Sequence, residues 1–384
     1  MSKLKVTTIS DPDNDNTALS IDSSGNVTVS QGFVPSKQLS HRNLIINGAM
    51  QIDQRGTTTA TTITGSFGND RWFARESTGG TAQIQNSTDA PDGFTNSFKY
   101  IITSSADLSS DAGGLCYVDT PLEGNIISNL AFGTSSAKTV TLSFWVKSSL
   151  TGTFAGALGN ERYTSTTRSY VFNYDISTAN TWEYKTITIS GDTTGTWNTN
   201  SSIGMSVLFS LGSGSNYEGT LNTWQSGHKI ANSGAVRLIG TNSATWQITG
   251  VQLEVGSVAT PYEHRSYGEE LARCKRYYQQ WGGNTGSERV MTGFYNSSNQ
   301  LRICLPLHPN MRTTPSIGVS AHSHWKVEVS GSSSNTAHSL DQASPRVASI
   351  NVTTNHTRSA GDCGQLIAND DGTNNSRLYL DAEL

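Results

Sequence analysis

Along most of this chain apolar and polar residues alternate with a period of two, the pattern of strands buried on one face. Phe98, Tyr100 and Ile102 share one parity, as do Val140, Leu142, Phe144 and Val146, and again Ile203, Met205, Val207, Phe209 and Leu211. Tyr170, Phe172 and Tyr174 form a further stripe of this kind and read as core. Between Trp246 and Val255 the parity slips: Trp246 and Ile248 take one face, Val251, Leu253 and Val255 the other, with Thr249-Gly250 at the slip. A glycine at such a slip predicts a β-bulge. Turn-rich segments separate the runs, and residues 43–265 read as a jelly-roll sandwich.

The flanks carry different patterns. Leu4, Val6 and Ile9 suggest a strand, and Leu19 and Ile21, the turn Asp22-Ser-Ser-Gly-Asn26, then Val27 and Val29 predict a hairpin. So small an element buries too little surface to stand alone, so residues 1–35 read as a β anchor that needs a partner. Residues 36–42, overlapping the stretch Val34-Pro-Ser-Lys-Gln-Leu-Ser40, read as a linker. A helix is predicted over 266–282. Ser266 and Glu269 form a capping box, Glu269 and Glu270 sit at the positive end of the dipole, and Gly282-Gly283 ends it. Tyr267, Leu271, Cys274, Tyr278 and Trp281 then recur at spacings of four and three. That seam fits an amphipathic helix lying on a domain, or a short bundle of three chains with these five residues at the trimer interface. Residues 283–384 read as a second β module, with strands around Leu301, Ile303 and Leu305, around Trp325, Val327 and Val329, around Ile350 and Val352, and around Leu378 and Leu380. The expected class is all-β: N-terminal β anchor, jelly-roll sandwich, one short helix, C-terminal β module.

Composition narrows the picture. Hydrophobic residues make up 34% and charged residues 15% of the chain, and Ser, Thr, Asn and Gly fill the gap. Hydroxyl and amide side chains compete with the helical backbone and favour turns. Disorder of similar polarity carries high net charge and few aromatics, whereas here the net charge is −4 and there are 8 Trp, 13 Tyr and 11 Phe. No basic stripe offers itself to nucleic acid. No apolar run has the length that membrane insertion needs, and the missing signal-peptide core predicts synthesis in a cytoplasm without Sec export. Cys116, Cys274, Cys304 and Cys363 lack metal-type spacing and read as free thiols. Nucleophile-elbow, zincin, phosphate-loop and dinucleotide motifs are all missing, so no cofactor and no enzyme are expected. Glycan hydrolysis would need two carboxylates at one cleft, and Asp111, Asp119 and Glu123 are the group that folding could still bring together.

Three features carry candidate binding chemistry. Trp145 lies opposite the apolar face of its strand, among Thr141, Ser143 and Lys147. An aromatic on a polar face can stack on a sugar ring, or belong to a second core layer or subunit contact. His322-Ser-His324 places two imidazoles on one face of a predicted strand, a metal-ligating pattern that an exposed polar strand also explains. Asp11-Pro-Asp-Asn-Asp-Asn16 opens like a calcium loop but lacks its glycine and closing Glu, and reads as an acidic turn.

Two blocks carry a resemblance. The first is Asn43-Leu-Ile-Ile-Asn-Gly-Ala-Met-Gln-Ile-Asp-Gln-Arg-Gly56 with Asn69-Asp-Arg-Trp-Phe73. The second is Trp246-Gln-Ile-Thr-Gly-Val-Gln-Leu-Glu-Val-Gly-Ser-Val-Ala-Thr-Pro-Tyr-Glu-His264 with Glu269-Glu-Leu-Ala-Arg-Cys-Lys-Arg-Tyr-Tyr-Gln279. Together they resemble bacteriophage tail-fibre proteins, especially those of phages of marine and cyanobacterial hosts. The resemblance implies a sandwich like that of carbohydrate-binding modules, in a virion tail fibre; the unsupported N-terminal hairpin and the heptad-like seam predict that the chain assembles as a homotrimer. The resemblance also implies an N-terminus held by tail or baseplate proteins, and recognition of a host-surface glycan. The distal C-terminal module is then the expected receptor module, with Trp325 and Tyr379 beside the polar stretches 331–335 and 369–375 as sugar contacts. In a threefold fibre, His322 and His324 of three chains would supply six nitrogens to one metal. Trp72 and Tyr262 are landmarks of the resembling fibres and are expected in the core. A head-decoration or baseplate protein without receptor role, and a polysaccharide-degrading tailspike, are the alternatives.

Overall fold

The alternating runs fold as antiparallel strands in the computed structural model. The structure describes residues 6–10, 17–24, 27–29, 40–63, 65–161, 167–283, 288–329, 332–368 and 376–384. Two compact units result, Met1–Arg42 and Asn43–Leu384. In the first, Thr8–Ser10, Thr17–Ile21 and Val27–Val29 form a three-stranded sheet in which Leu19 faces Val29 and Ile21 faces Val27. The predicted hairpin is therefore present, with the Ser24 amide donating to Asp22 Oδ1 at 2.8 Å. Leu4, the acidic run 11–16, Gly25-Asn26 and most of the proposed linker lie outside the described residues.

The second unit begins with a sandwich of jelly-roll type. Its front sheet has the order Glu183–Ile189, Val140–Ser148, Thr245–Val255, Ser97–Ser104, Thr81–Ser87, Thr61–Ile63. The back sheet has the order Trp224–Ser226, Arg168–Ile176, Gly152–Gly159, Ile203–Ser213, Leu115–Glu123, Phe73–Ser77, Gly65–Phe67. The apolar parities of both sheets meet in one core, where the Phe144 ring stands 5.0 Å from that of Phe209 across the layers. The bulge falls where the sequence places it. Ser143 pairs with Gln252 but Trp145 with Thr249, so Trp246, Ile248, Val251 and Leu253 all reach the core. Gly250 takes φ +62°, a left-handed conformation that favours glycine.

The two resembling blocks, far apart in sequence, are one knot in space. Asn43 donates to the Val251 carbonyl at 3.0 Å and accepts from the amides of Ile45 and Leu253. Asn47 donates to the carbonyls of Ile52 and Asp70, and Trp72, fully buried, donates from Nε1 to the Asn47 carbonyl at 3.0 Å. Each of these side chains satisfies a buried backbone group that its neighbours leave open.

The helix is shorter than its seam. It spans Tyr267–Lys275, and Ser266 accepts the Glu269 amide as the predicted cap. Tyr278 and Trp281 instead belong to the strand Tyr278–Gly282, which pairs with Arg377–Asp381, itself paired with Ser316–Val319. Cys274 is buried against Ile46, Ile52 and Tyr277, with Leu271 packed on the same cluster, while Tyr267 is 61% exposed. The predicted helix over 266–282 is thus corrected: it ends at Lys275, and Tyr278 and Trp281 are strand residues. A second, four-residue helix occupies Gly124–Ile127.

Glu288–Ser297, Gln300–Pro306, Val347–Thr354, Ser332–Ser344, Trp325–Glu328 and Cys363–Ala368 close into a barrel around Leu301, Ile303, Trp325, Val327, Ile350 and Val352. Residues 332–335, expected in a loop, are strand; 331 and 369–375 lie outside the described residues. Charged groups dock this end of the chain onto the sandwich. Arg276 forks onto Glu123 at 2.6 and 2.9 Å. Burial alone would raise the Glu123 carboxyl, but those hydrogen bonds outweigh it and hold the group below the usual carboxylate range. Arg71 pairs with Glu383 and lies 3.6 Å over the Tyr277 ring, and Arg55 reaches Glu383 at 3.1 Å and lies 3.8 Å over Tyr278.

Candidate functional site

A cleft of about 860 Å³ opens on the outward face of the front sheet. Its floor is set by strand parity. Because Leu142, Phe144 and Val146 point into the core, Thr141, Ser143 and Trp145 must point out, and Tyr184, Thr186 and Thr188 do the same on the edge strand. Trp145 and Tyr184 are cross-strand partners whose rings lie 5.4 Å apart, and Tyr184 is 44% exposed. The rest of the lining comes from two loops. Asp92-Gly-Phe94 and Ser257–Tyr262 with His264 meet on one side as adjoining walls. Phe94, Tyr262 and His264 pack as a trio with centroid separations of 5.1, 5.3 and 4.9 Å.

The second wall is pinned by polar residues on the outward face of Thr245–Val255. Glu254 accepts the Thr260 amide at 2.7 Å and its hydroxyl at 2.8 Å, and Gln252 accepts the Glu263 amide at 2.8 Å. Gly250 lies between the aromatic groups: a Cβ there would stand 2.6 Å from the Phe94 ring and 3.1 Å from that of Trp145. The bulge thus keeps the core continuous on one face and makes room for two aromatic walls on the other. Burial pushes the Tyr262 hydroxyl above its ordinary range, so it stays a neutral hydrogen-bond donor and acceptor at physiological pH. Beside the cleft, Asp89 accepts from Trp182 Nε1 at 3.2 Å, Gln247 Nε2 at 3.0 Å and Lys147 Nζ, which fixes that end of the sheet face. The arrangement offers flat apolar rings above a floor of hydroxyls. A sugar presents the matching surfaces, C–H faces on its ring and hydroxyls on its rim.

Of the residues singled out in the sequence, Trp145 lies in this cleft. Trp325 does not, and is corrected to barrel core: it is fully buried and has no face to offer. Tyr379 is half-buried on the small sheet against Tyr278, with rings 5.5 Å apart. Trp72 is core as expected, whereas Tyr262 is half-buried and lines the cleft. Phe94, Tyr184 and His264 went unnoticed in the sequence. Asp119 and Glu123 share a strand four residues, about 13 Å, apart. Asp119 is buried against Ser206 and Glu123 is held by Arg276, so they form no common cleft.

His322 and His324 lie on a single 3-10 turn, not a strand. Among the described residues, no group of three or more His, Cys, Asp or Glu is placed to hold a metal. The partner His322 finds is His338, Nδ1 to Nδ1 at 2.9 Å, so one ring donates and the other accepts. Burial, and then the neighbouring His322, depress His338 to about 4. A histidine whose folded value lies below its unfolded one gives stability that is complete above about 6.5 and is lost as pH falls toward 4, here up to about 3 kcal/mol. The melting temperature is expected to drop across that window in the parent and to drop less in His338→Gln. Equal acid sensitivity in both proteins would remove His338 from the account.

No family model and no curated protein matches the sequence. Solved structures similar to part of the chain include the enzymatically active domain of tailspike protein 4 of bacteriophage CBA120. That match has 12% identity over 56% of this chain and 21% of that one, with a TM-score of 0.30. The family 11 carbohydrate-binding module from Clostridium thermocellum, in complex with a β-1,3-1,4-mixed-linked tetrasaccharide, matches at 12% identity over 52% of this chain and 98% of that one, with a TM-score of 0.27. TmCBM61 in complex with β-1,4-galactotriose matches at 10% identity over 56% of this chain and 99% of that one, with a TM-score of 0.26. The chain thus spans about a fifth of the tailspike it resembles.

Proposed function

We propose that this chain binds a host-surface glycan through the front-sheet cleft of its sandwich, as a subunit of a phage tail fibre. The observation that carries the reading is the cleft: Trp145 and Tyr184 on one side, Phe94, Tyr262 and His264 on the other, above Thr and Ser hydroxyls. The fibre setting rests on the resemblance of residues 43–73 and 246–279. Val6, exposed just before the N-terminal sheet, and Ile21 and Val27, exposed on it, suit a segment that is covered in a homotrimer or by tail proteins. The principal glycan site is then in the sandwich and not in the C-terminal module. In this reading binding proceeds without cleavage: among the described residues Asp92 is the single carboxylate lining the cleft, and hydrolysis uses two.

The test is titration of the purified chain with a panel of neutral and acidic oligosaccharides, with reducing-sugar release followed in parallel. Trp145→Ala and Tyr184→Ala are each expected to weaken binding about tenfold or more, which is about 1.4 kcal/mol. Parental affinity in both variants would sink the cleft assignment, and release of reducing ends would turn the reading toward a tailspike hydrolase.

A further inference from the structure

A second groove, about 420 Å³, lies on the outer wall of the barrel, and its chemistry is unlike that of a merely solvated sheet face. It is lined by Arg302, Cys304, Asp341, Val347 and Ser349, with Asn351 beside them. Arg302 donates from Nη2 to Asp341 Oδ1 at 3.0 Å and from Nε to Asn351 Oδ1 at 3.2 Å. Asn351 Nδ2 donates to the same Asp341 oxygen at 3.2 Å, and Ser349 Oγ to the other at 3.4 Å. The four side chains therefore hold one another in fixed orientations, and a guanidinium has five donors, only two of which are engaged here. Two large apolar residues stand exposed on this face: Phe294, 48% exposed and the cross-strand partner of Arg302, and Val347, 42% exposed. Along the row from Phe294 through Arg302 and Asn351 to the strand of Asp341, four adjacent strands span about 14 Å, the reach of a short oligosaccharide.

We propose that this face is a second glycan site, distinct from the sandwich cleft, with Phe294 as stacking platform and Arg302, Asp341, Asn351 and Ser349 as readers of sugar hydroxyls. The ligand class is a neutral oligosaccharide. Arg302 is matched by Asp341, so the groove carries no net charge to draw an anion, while a preorganised set of donors and acceptors suits vicinal hydroxyls. Two sites on one chain, multiplied by assembly, would raise avidity on a glycan-covered surface without tightening either site.

The groove contains its own reporter. Cys304 is exposed within it, Cys363 is exposed on the strand beside Phe294, and Cys116 and Cys274 are buried. In the full chain carrying Cys363→Ser, iodoacetamide modification of Cys304 is followed by mass spectrometry with and without millimolar neutral tetrasaccharides of the gluco, xylo, manno, galacto and chito series. Modification is expected to slow at least threefold with one of them. The protection is expected to survive in Trp145→Ala and to disappear in Phe294→Ala and in Asp341→Ala. Absence of protection by every sugar overturns the site, as does protection that vanishes with Trp145→Ala or persists in both barrel variants. Loss of the sandwich cleft's binding in Trp145→Ala alongside retained Cys304 protection keeps the two sites separate; sugar binding that Trp145→Ala abolishes, with no Cys304 protection by any sugar, leaves the cleft and removes the groove.

Discussion

Replacing Arg71 with Met is expected to cost about 3–5 kcal/mol of folding stability, because it leaves a buried carboxylate short of its partner. The Arg71 side chain is 1% exposed and that of Glu383 is 4% exposed. Arg71 also donates to the Pro121 carbonyl on the back sheet and lies over the ring of Tyr277, which follows the helix. One guanidinium thus ties three parts of the chain together: the sandwich, the segment after the helix, and the residues that follow the strand Arg377–Asp381. Glu383→Gln is expected to be comparably damaging, since it removes the countercharge from Arg71 and the nearest of three carboxylates from Arg55. The double variant Arg71→Met/Glu383→Gln is expected to cost less than the two single costs added, because neither charge then remains buried without the other. Denaturant unfolding of the four proteins measures this directly. Single variants within about 1 kcal/mol of the parent, or strictly additive costs, would show that the pair does not hold the docking.

How much of this was legible in the sequence depended on whether the information was local. Strand faces were readable because burial on one side forces alternation, and the bulge was readable because Gly250 sits at the slip of parity. Trp145 stood out for the same reason, an aromatic among Thr141, Ser143 and Lys147. Its partners did not. Phe94 lies in a Pro-Asp-Gly turn with no periodicity, and Tyr184 becomes its neighbour only through the register of a separate edge strand. Tyr262 reads as core from its motif, yet its loop is folded back by Gln252 and Glu254 so that the ring lines the cleft. The helix seam misled because Tyr278 and Trp281 keep helical spacing by coincidence; pairing with Arg377–Asp381, a hundred residues on, makes them strand. Trp325 shares parity with Val327, which already pointed it inward; its polar neighbours obscured this. Barrel closure rests on pairing of Cys363–Ala368 with both Glu288–Ser297 and Trp325–Glu328, contacts that no local pattern encodes.

Gly250→Val is expected to remove glycan binding at the sandwich and to cost about 2–4 kcal/mol of stability. At φ +62° a β-branched residue adopts the left-handed conformation only under strain, and the added carbons meet the Phe94 and Trp145 rings. The strained chain can respond in two ways, and each damages the site. If the bulge is kept, Phe94 is driven off Tyr262 and His264 and the aromatic wall opens. If the bulge is ironed out, the parity of the strand after residue 249 inverts, taking Val251 and Leu253 from the core and Gln252 and Glu254 from the loop they pin. The second route costs more burial, so the first is the expected outcome, with a folded protein that no longer binds. Gly250→Ala, with a single added carbon, is expected to fall between parent and Val in both stability and affinity. The measurement is melting temperature and oligosaccharide titration on parent, Gly250→Ala and Gly250→Val, with Trp145→Ala as the reference for loss of binding. Parental affinity in Gly250→Val would mean that Phe94 and the gap beside Trp145 are not part of the glycan site, whatever the stability change.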